Sequence, residues 1–268
     1  MKIALTATPS QPRSAPFLLR GDIPGAFRAA AELGCQGVEL HLLHAEDVDP
    51  AQVKRLMAEY SLEVPTLGTG MAAGVDGLTF SDPDPAVRAR AVERVCGHLN
   101  LACELGSAVI IGLIRGKLGT TESGTRRRTV LECLGEVCRT AERLGVTVLL
   151  EPMNRYECDY INTLAQGAAF AAEIGAANLK LLADTFHMNI EETGIETAFR
   201  DAGPRLGHVH LADSNRQAPG HGHLNIAGIL RALAGMDYRG YLALEILPLP
   251  EPLQAIRDSI RTIQERQP

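Results

Sequence analysis

LKLLADTFHMNIEE (residues 179–192) runs from a short apolar stretch directly into two ionisable side chains, Asp184 and His187. An almost continuous apolar run of strand length is typical of a parallel strand that is covered by helices. A carboxylate or an imidazole at the end of such a strand is costly to bury unless it has a partner. The stretch therefore predicts a parallel strand that ends at a functional group, and further strands of this kind would define the fold.

The same kind of strand recurs along the chain, and a helical pattern follows it each time. The eight runs are KIALTAT (2–8), GVELHL (37–42), EVPTLGTG (63–70), SAVIIGLI (107–114), VTVLLEP (146–152), LKLLADT (179–185), LGHVHLAD (206–213) and GYLALEIL (240–247). Several helical patterns begin at Asp or Thr and end at Gly, as helix capping requires. Eight such units predict an α/β fold, a single-domain (β/α)8 TIM barrel over residues 1–268. A doubly wound open sheet is the alternative, because periodicity does not prove that a sheet closes.

The composition indicates a globular protein with a sizeable core, since 46% of its residues are hydrophobic. A net charge of −6 argues against nucleic acid or an anionic membrane as a partner, because either would require a clustered basic face. The N-terminal residues contain no long apolar run and the longest apolar runs are strand-sized, so we expect neither a secretory signal nor a membrane span. The six cysteines lack Cys-x-x-Cys spacing, which favours reduced thiols and a cytoplasmic location.

In a TIM barrel the active site lies where the strands end at their C-terminal face. From the fifth strand onward, each run delivers one ionisable residue to this end: Glu151, Asp184, His210 and Glu245. Three carboxylates and an imidazole that face one another would repel unless a cation lay between them. The mixed oxygen and nitrogen ligands suit Mn²⁺, Co²⁺ or Mg²⁺, and Zn²⁺ is also compatible. The alternative is that loop amides satisfy each of these residues separately.

Neighbouring residues supply groups that suit a polyhydroxylated substrate. Glu157 follows Glu151 on the same loop, His187 follows Asp184, and Arg216 follows His210 by six positions. A cation, an imidazole and a carboxylate can bind several hydroxyl oxygens at once. His187 could instead cap a helix that begins near residue 189, and Arg216 could pair with a surface carboxylate. Two further polar strand residues, Glu39 and His208, are expected deeper in the barrel, where they would support the ligands.

Four motifs resemble those of a known family. EPMNRYE (151–157), ADTFHMNIEE (183–192), GHVHLADSNR (207–216) with PGHGH (219–223), and LALEIL (242–247) are similar to the ketose 3-epimerases of the xylose-isomerase-like barrel superfamily, the tagatose and allulose 3-epimerases. A closer branch is indicated by GTGMAAGVDGLTFSDPD (68–84), VIIGLIRGK (109–117), NRYECDYINT (154–163) and ILPLP (246–250). These resemble the 5-keto-L-gluconate epimerases, which act on keto sugar acids.

The resemblance implies a metal-dependent epimerase that inverts the carbon next to a carbonyl group through a cis-enediolate. Its metal ligands fall on the four strand-end residues already named, and its two acid/base carboxylates fall on Glu151 and Glu245. Its substrate contacts correspond to Glu157, His187 and Arg216. The family uses Mn²⁺ or a similar ion, binds a small sugar or sugar acid, and usually forms homodimers or homotetramers.

The chain also departs from the tagatose epimerases, which pack the far end of the sugar with aromatic residues. It contains no Trp, and the run after its fourth strand carries Arg115 and Lys117 instead. Basic residues there would suit a distal carboxylate, so Arg115 is expected to bind substrate, and 5-keto-L-gluconate or D-tagaturonate is favoured over D-tagatose, D-fructose or D-allulose. The alternative is that Arg115 pairs within the barrel.

Other functions are compatible with the same barrel. Aldose-ketose or hydroxypyruvate-type isomerisation would use the same two carboxylates and also pass through an enediolate. Dehydration of a keto-inositol or dehydroshikimate would release water instead. A DNA-repair endonuclease would need a basic groove and additional His ligands, against which the negative net charge argues. A non-catalytic sugar-binding barrel would not need two bases in addition to two further ligands.

Overall fold

Eight parallel strands close into a barrel in the computed structural model, which describes residues 1–11 and 15–267. The strands are β1 (Lys2–Thr8), β2 (Gly37–His41), β3 (Thr66–Gly68), β4 (Ala108–Ile111), β5 (Val148–Leu150), β6 (Leu179–Asp184), β7 (Leu206–His210) and β8 (Tyr241–Leu244). Each strand pairs with the next, and β1 also pairs with β8 from Lys2 opposite Tyr241 to Leu5 opposite Leu244. The predicted barrel is confirmed, and the open sheet is excluded. Residues 12–14 and 268, which the predicted domain also spans, lie outside the described residues.

A helix follows each barrel strand and covers the outside of the sheet. These helices are α1 (Ile23–Glu32), α2 (Pro50–Tyr60), α3 (Pro85–Leu105), α4 (Ser123–Arg143), α5 (Leu164–Ile174), α6 (Ile195–Ala202), α7 (Ile226–Gly235) and α8 (Pro252–Arg266). The side chains of Asp22, Asp49, Asp84 and Thr163 accept hydrogen bonds from backbone amides in the first turns of α1, α2, α3 and α5. Proline in the first turn of α1, α2 and α3 fits because its missing amide hydrogen is not needed there.

The alternation of side chains along the strands divides the core in two. The larger part lies between the sheet and the helices, where residues such as Phe27, Leu99 and Phe199 are fully buried. Residues at the alternate positions point into the barrel, and there the apolar side chains form only small groups, such as Ile110 with Leu149 and Leu182. The interior therefore leaves room for polar residues at the same alternate positions.

Short elements are added at the C-terminal ends of the strands. They include a helix over Gly70–Asp76, a 3-10 turn over Leu113–Arg115 and a helix over Thr185–Glu191. The last of these begins directly after β6, because the Asp184 side chain accepts a hydrogen bond from the Phe186 amide (2.9 Å). It therefore starts earlier than the helix expected near residue 189, and His187 lies within it rather than capping it. Among the described helices, none is long and apolar enough to span a membrane.

Candidate active site

Four side chains converge at the C-terminal end of the barrel: Glu151, Asp184, His210 and Glu245, which we call the rim cluster. Asp184 is the last residue of β6 and His210 the last of β7, while Glu151 and Glu245 directly follow β5 and β8. One oxygen or nitrogen from each residue lies within 4.8 Å of the corresponding atom of every other, and all four residues are buried. The structure thus brings together the four residues that the strand ends suggested.

One ring nitrogen of His210 contacts Glu39, and the other has no hydrogen-bond partner among the described residues. Its Nε2 lies 3.1 Å from Oε1 of Glu39, deeper in the barrel. Its Nδ1 lies 3.1 Å from a Glu245 oxygen, 3.7 Å from an Asp184 oxygen and 3.9 Å from a Glu151 oxygen. None of these contacts has hydrogen-bonding geometry, and this buried Nδ1 has no partner among the described residues. A divalent cation would satisfy a nitrogen that faces three carboxylates, so the residues fit a metal ion.

The guanidinium of Arg216 lies against the rim cluster. It donates short hydrogen bonds to the carboxylates of Asp184 and Glu245, and its centre is 4.9 Å from the centroid of the Phe186 ring. The Arg216 backbone has φ +62°, in the left-handed region that non-glycine residues rarely adopt. A hydrogen bond from its amide to the Asp213 carbonyl (3.0 Å) holds this turn. The expected proximity of Arg216 to the site is therefore observed, and its partners are ligand-type carboxylates rather than a surface residue.

His187 lies beside the rim cluster and is oriented by Asn154. Asn154 donates from Nδ2 to Nδ1 of His187 (2.7 Å) and to a Glu157 oxygen (2.9 Å). This leaves Nε2 of His187 3.7 Å from a Glu151 oxygen and 3.8 Å from an Asp184 oxygen. Glu157 and His187 thus lie together, as expected. Asn154 was missed in the sequence, where its only signal is its position three residues after Glu151.

The three carboxylates of the rim cluster have unequal electrostatic surroundings. Burial, together with repulsion from Glu245 and Asp184, raises the pKa of Glu151 to about 8. Burial would also raise the pKa of Asp184 and Glu245, but the nearby cations, above all Arg216, outweigh it and lower the pKa of both. Arg216 therefore compensates two carboxylates, whereas Glu151 favours its protonated form, and a bound cation would favour its charged form.

Glu39 occupies the barrel interior below the rim cluster. Its carboxylate oxygens lie 2.7 Å from Nε2 of His41 and 2.8 Å from Nε2 of His208, and they accept a short hydrogen bond from the Thr66 hydroxyl. With the contact to His210, four side chains surround one carboxylate; we call these five residues the Glu39 network. Glu39 and His208 were expected here, whereas Thr66 was not, because a threonine within a strand carries no signal of this kind.

A pocket of about 400 Å³ opens above the rim cluster. Its polar lining includes Glu151, Glu157, His187, Arg216 and Glu245. The loops after β1, β3, β4 and β5 add apolar lining residues, which we call the apolar wall: Phe17, Met71, Val75, Leu113 and Met153. A larger depression of about 760 Å³ lies at the other end of the barrel, among the strand starts, and none of its lining residues belongs to the rim cluster.

Arg115 does not reach this pocket, which corrects the expectation that it binds substrate. Its side chain is fully buried and donates to the carbonyl oxygens of Glu151, Tyr160 (3.3 Å) and Ile161 (3.1 Å). The guanidinium also lies over the Tyr160 ring, 5.4 Å from its centroid. Arg115 therefore ties the loop after β4 to the loop after β5, while Lys117 is exposed.

Comparisons with known proteins agree with this fold. A sequence model of the xylose isomerase-like TIM barrel family matches residues 27–266. The chain is 33% identical to L-ribulose 3-epimerase from Methylomonas sp. (strain DH-1), over 82% of this chain and 77% of that protein. It is 31% identical to 3-dehydro-D-guloside 4-epimerase from Escherichia coli (strain K12), over 87% of this chain and 91% of that protein. The crystal structure of D-allulose 3-epimerase from Methylomonas sp. in complex with D-allulose matches with a TM-score of 0.83 and 27% identity, covering 99% of this chain and 97% of that one.

These matches establish the class of protein: the chain belongs to the xylose isomerase-like TIM barrel family. Within this family its relatives are named as epimerases of ketoses and keto sugars, so the resemblance to the ketose 3-epimerases is confirmed. The chain is an enzyme of the isomerase class. The narrower resemblance to the 5-keto-L-gluconate epimerases stays a prediction.

Proposed function

We propose that the chain is a divalent-metal-dependent sugar epimerase, which inverts the carbon next to the carbonyl group of a ketose. The observation that carries this proposal is the rim cluster, in which two glutamates, an aspartate and the unpartnered Nδ1 of His210 face one another within 4.8 Å. Relatives named as 3- and 4-epimerases support the same reaction class.

The proposed ligands of the cation are Glu151, Asp184, His210 and Glu245. Mn²⁺ is the ion we favour, and Co²⁺, Mg²⁺ and Zn²⁺ also suit three oxygens and one nitrogen. A bound cation would supply Lewis-acid stabilisation of the negative charge that develops on the substrate oxygens. The sugar or sugar acid is the expected small-molecule partner, and the cytoplasmic location and homo-oligomeric state stay predictions.

Glu151 and Glu245 are the proposed acid/base pair. A proton on the carbon next to a ketone is removed only if a base lies beside it, and inversion requires a second group that returns a proton to the other face. The two glutamates follow β5 and β8, which are three places apart in the ring of eight strands. One carboxylate oxygen would take the proton from one face of the carbon, and the opposite carboxylic acid would deliver a proton to the other face, through an enediolate.

Glu157, His187 and Arg216 are proposed to orient the substrate. All three line the pocket next to the two glutamates. Nε2 of His187 lies 3.7 Å from a Glu151 oxygen and 3.8 Å from an Asp184 oxygen. Both distances are too long for a hydrogen bond, so this nitrogen is available to a substrate oxygen. Arg216 would bind substrate oxygens while it holds Asp184 and Glu245. Such polar groups on several oxygens fix the carbon that reacts between the two bases.

The apolar wall of the pocket favours a neutral ketose over a keto acid. A distal carboxylate against Phe17, Met71 and Leu113 would lose its hydration without gaining a partner. The described pocket residues already include three glutamates, and Arg115, which had suggested a keto acid, binds backbone carbonyls elsewhere. We therefore favour D-tagatose, D-fructose, D-allulose or L-ribulose, with 5-keto-L-gluconate and D-tagaturonate as the competing substrates.

The test is an assay in D₂O with added Mn²⁺, in which NMR follows deuterium incorporation and the epimer formed. We expect exchange at C3 of a neutral ketose. We also expect Glu151→Gln and Glu245→Gln to lower the rate by about 100- to 10,000-fold, the usual contribution of a general acid or base. Exchange with the keto acids alone would reject the neutral ketose and leave the epimerase proposal in place. Formation of an aldose, release of water, or no exchange with any sugar would overturn the epimerase proposal.

A further inference from the structure

The Glu39 network is a buried polar cluster inside the barrel, and only one of its members, His210, has a role in the proposed reaction. Glu39 is fully buried, yet its carboxylate lies against three imidazoles and a hydroxyl. The distances to Nε2 of His41, His208 and His210 are 2.7, 2.8 and 3.1 Å. A carboxylate this deep would be strongly destabilising without partners, so these contacts explain how the fold tolerates it.

The donors come from three different strands, which gives the network its rigidity. His41 lies on β2 with Glu39, Thr66 begins β3, and His208 and His210 lie on β7. His41 is in turn covered by the Phe17 ring, at 4.2 Å between ring centroids. The carboxylate is therefore fixed from several directions inside the closed barrel, and it cannot rotate without breaking contacts to more than one strand.

The consequence concerns the orientation of His210. Since Oε2 of Glu39 accepts a hydrogen bond from Nε2 of His210 (3.3 Å), the proton of the neutral imidazole is held on that nitrogen, and Nδ1 is left to face Glu151, Asp184 and Glu245. We propose that Glu39 is a positioning residue, which fixes the ring orientation and tautomer of His210 for cation binding, while Thr66 and His208 hold Glu39 in place. This inference rests on the metal assignment proposed above.

A second ion among Glu39, His208 and His210 is the competing explanation, since these three residues alone also form a group with metal-ligand spacing. The contacts favour the hydrogen-bond network. Both oxygens of Glu39 already accept from side chains, with Thr66 and His41 among the donors, and its distances to His208 and His210 are those of direct hydrogen bonds. The number of ions bound per chain distinguishes the two explanations.

The experiment measures Mn²⁺ binding by the metal-free protein, using electron paramagnetic resonance of the free ion, and the visible spectrum after Co²⁺ is added. We expect one high-affinity ion per wild-type chain. Glu39→Gln should weaken Mn²⁺ binding by about 10- to 100-fold, the usual loss when a partner of a ligating histidine is removed, and should shift the Co²⁺ spectrum. The control is Ser107→Ala, which removes another buried hydroxyl, whose hydrogen bond to the Val64 carbonyl is 2.6 Å, far from the rim cluster.

Thr66→Val provides a second variant, because it keeps the Glu39 carboxylate and removes one donor. It should shift the Co²⁺ spectrum in the same direction as Glu39→Gln, and Thr66→Ser should restore the wild-type spectrum. An unchanged Mn²⁺ affinity and spectrum in folded Glu39→Gln and Thr66→Val would overturn the inference but leave the proposed function intact. Two ions per wild-type chain, one of them lost in Glu39→Gln, would also overturn it. No ion bound by the wild type would overturn the metal assignment itself.

Discussion

The guanidinium of Arg115 joins two loops at the rim of the barrel, and its loss should destabilise the whole fold. It donates to the backbone carbonyls of Glu151, Tyr160 and Ile161. The Arg115 side chain itself has no access to water. Hydrogen bonds from a charged group contribute about 1.5–3 kcal/mol each, and buried carbonyls left without a donor cost more. We expect Arg115→Met to lower the free energy of unfolding by about 3 kcal/mol or more, as measured by urea denaturation.

Arg155, in the loop after β5 that Arg115 contacts, provides the matched control. Its exposed side chain pairs with Glu191 at 2.9 Å, and exposed pairs of this kind contribute about 1 kcal/mol or less. Arg155→Met should therefore have a small effect. Equal losses in the two variants would contradict the role assigned to Arg115.

Single residues also show what a sequence cannot predict. Glu151, Asp184, His210 and Glu245 were predictable, because a strand fixes which way its side chains point and where it ends. Arg115 was not, since the direction of a long side chain after a strand depends on the loops that fold around it. For this reason Arg115, a basic residue near a strand end, was wrongly predicted to bind the substrate.

His98 should make the stability of the protein depend on pH. It is buried on α3, with Nδ1 2.9 Å from the Arg94 carbonyl and Nε2 3.2 Å from the Leu42 carbonyl. Burial lowers the pKa of His98 below its usual value of about 6.5, in spite of these carbonyls. The unfolded chain therefore binds the proton first, so the stability is fully present above pH 6.5 and is lost as the pH falls.

Urea denaturation of the wild type and of His98→Gln between pH 7.5 and 5.5 would measure this effect. The wild type should lose stability more steeply as the pH falls, by up to about 1.4 kcal/mol per pH unit, which is the limit for one proton. Parallel pH curves for the two proteins would show that His98 does not contribute.

At the scale of an element, the same substitution should have opposite effects at the ends of two helices. Gly106 follows α3 with φ +72°, whereas Gly235 is the last residue of α7 and has no positive φ. No atom lies within 4 Å of a Cβ added at either position. Gly106→Ala should cost about 1–2 kcal/mol because of the left-handed backbone. Gly235→Ala should stabilise by about 0.4–1 kcal/mol, because it restricts the unfolded chain.

Thermal unfolding of the two variants beside the wild type would decide this, with the melting temperature falling for Gly106→Ala and rising for Gly235→Ala. Two shifts of the same sign would mean that backbone conformation does not determine the effect.

The predicted helices carry clear signals in the sequence, whereas the missed helices do not. Helices α1, α2 and α3 each begin with Asp followed by an apolar periodic pattern, and they were found. The short helix over Gly70–Asp76 lies in a glycine-rich run that is typical of a loop. The helix over Thr185–Glu191 is too short to show a period, and its cap, Asp184, had been assigned only to the metal. Short helices of this kind depend on their tertiary surroundings.

At the scale of the whole molecule, closure of the barrel is the feature that the sequence indicated but did not prove. Eight strand–helix units are compatible with an open or a closed sheet, and only the pairing between β1 and β8 decides between them. This pairing joins residues more than 230 positions apart, such as Lys2 and Tyr241. Closure also lets side chains of β2 and β7 meet inside the barrel, although the two strands are not neighbours. This contact creates the Glu39 network from residues that are distant in sequence.

Because the proposed ligands come from four successive strands, cation binding should stabilise the whole barrel rather than one loop. An ion that binds only the folded chain adds about 2.7 kcal/mol at a concentration 100 times its Kd. For a chain of this size, that corresponds to an increase of about 5–10 °C in Tm. We expect Mn²⁺ to raise the Tm of chelator-treated protein by this amount, in a single transition measured by scanning calorimetry.

Asp184→Asn tests whether the rim cluster is responsible for that stabilisation. The variant keeps nearly the same shape and removes one negative ligand, so it should lose most of the increase in Tm. Ser107→Ala, whose hydroxyl binds the Val64 carbonyl away from the rim cluster, should keep the full increase. If Mn²⁺ shifted Asp184→Asn as much as the wild type, the ion would be binding elsewhere. If it shifted only a minor early transition, the ion would be ordering the rim loops without holding β5 to β8 together.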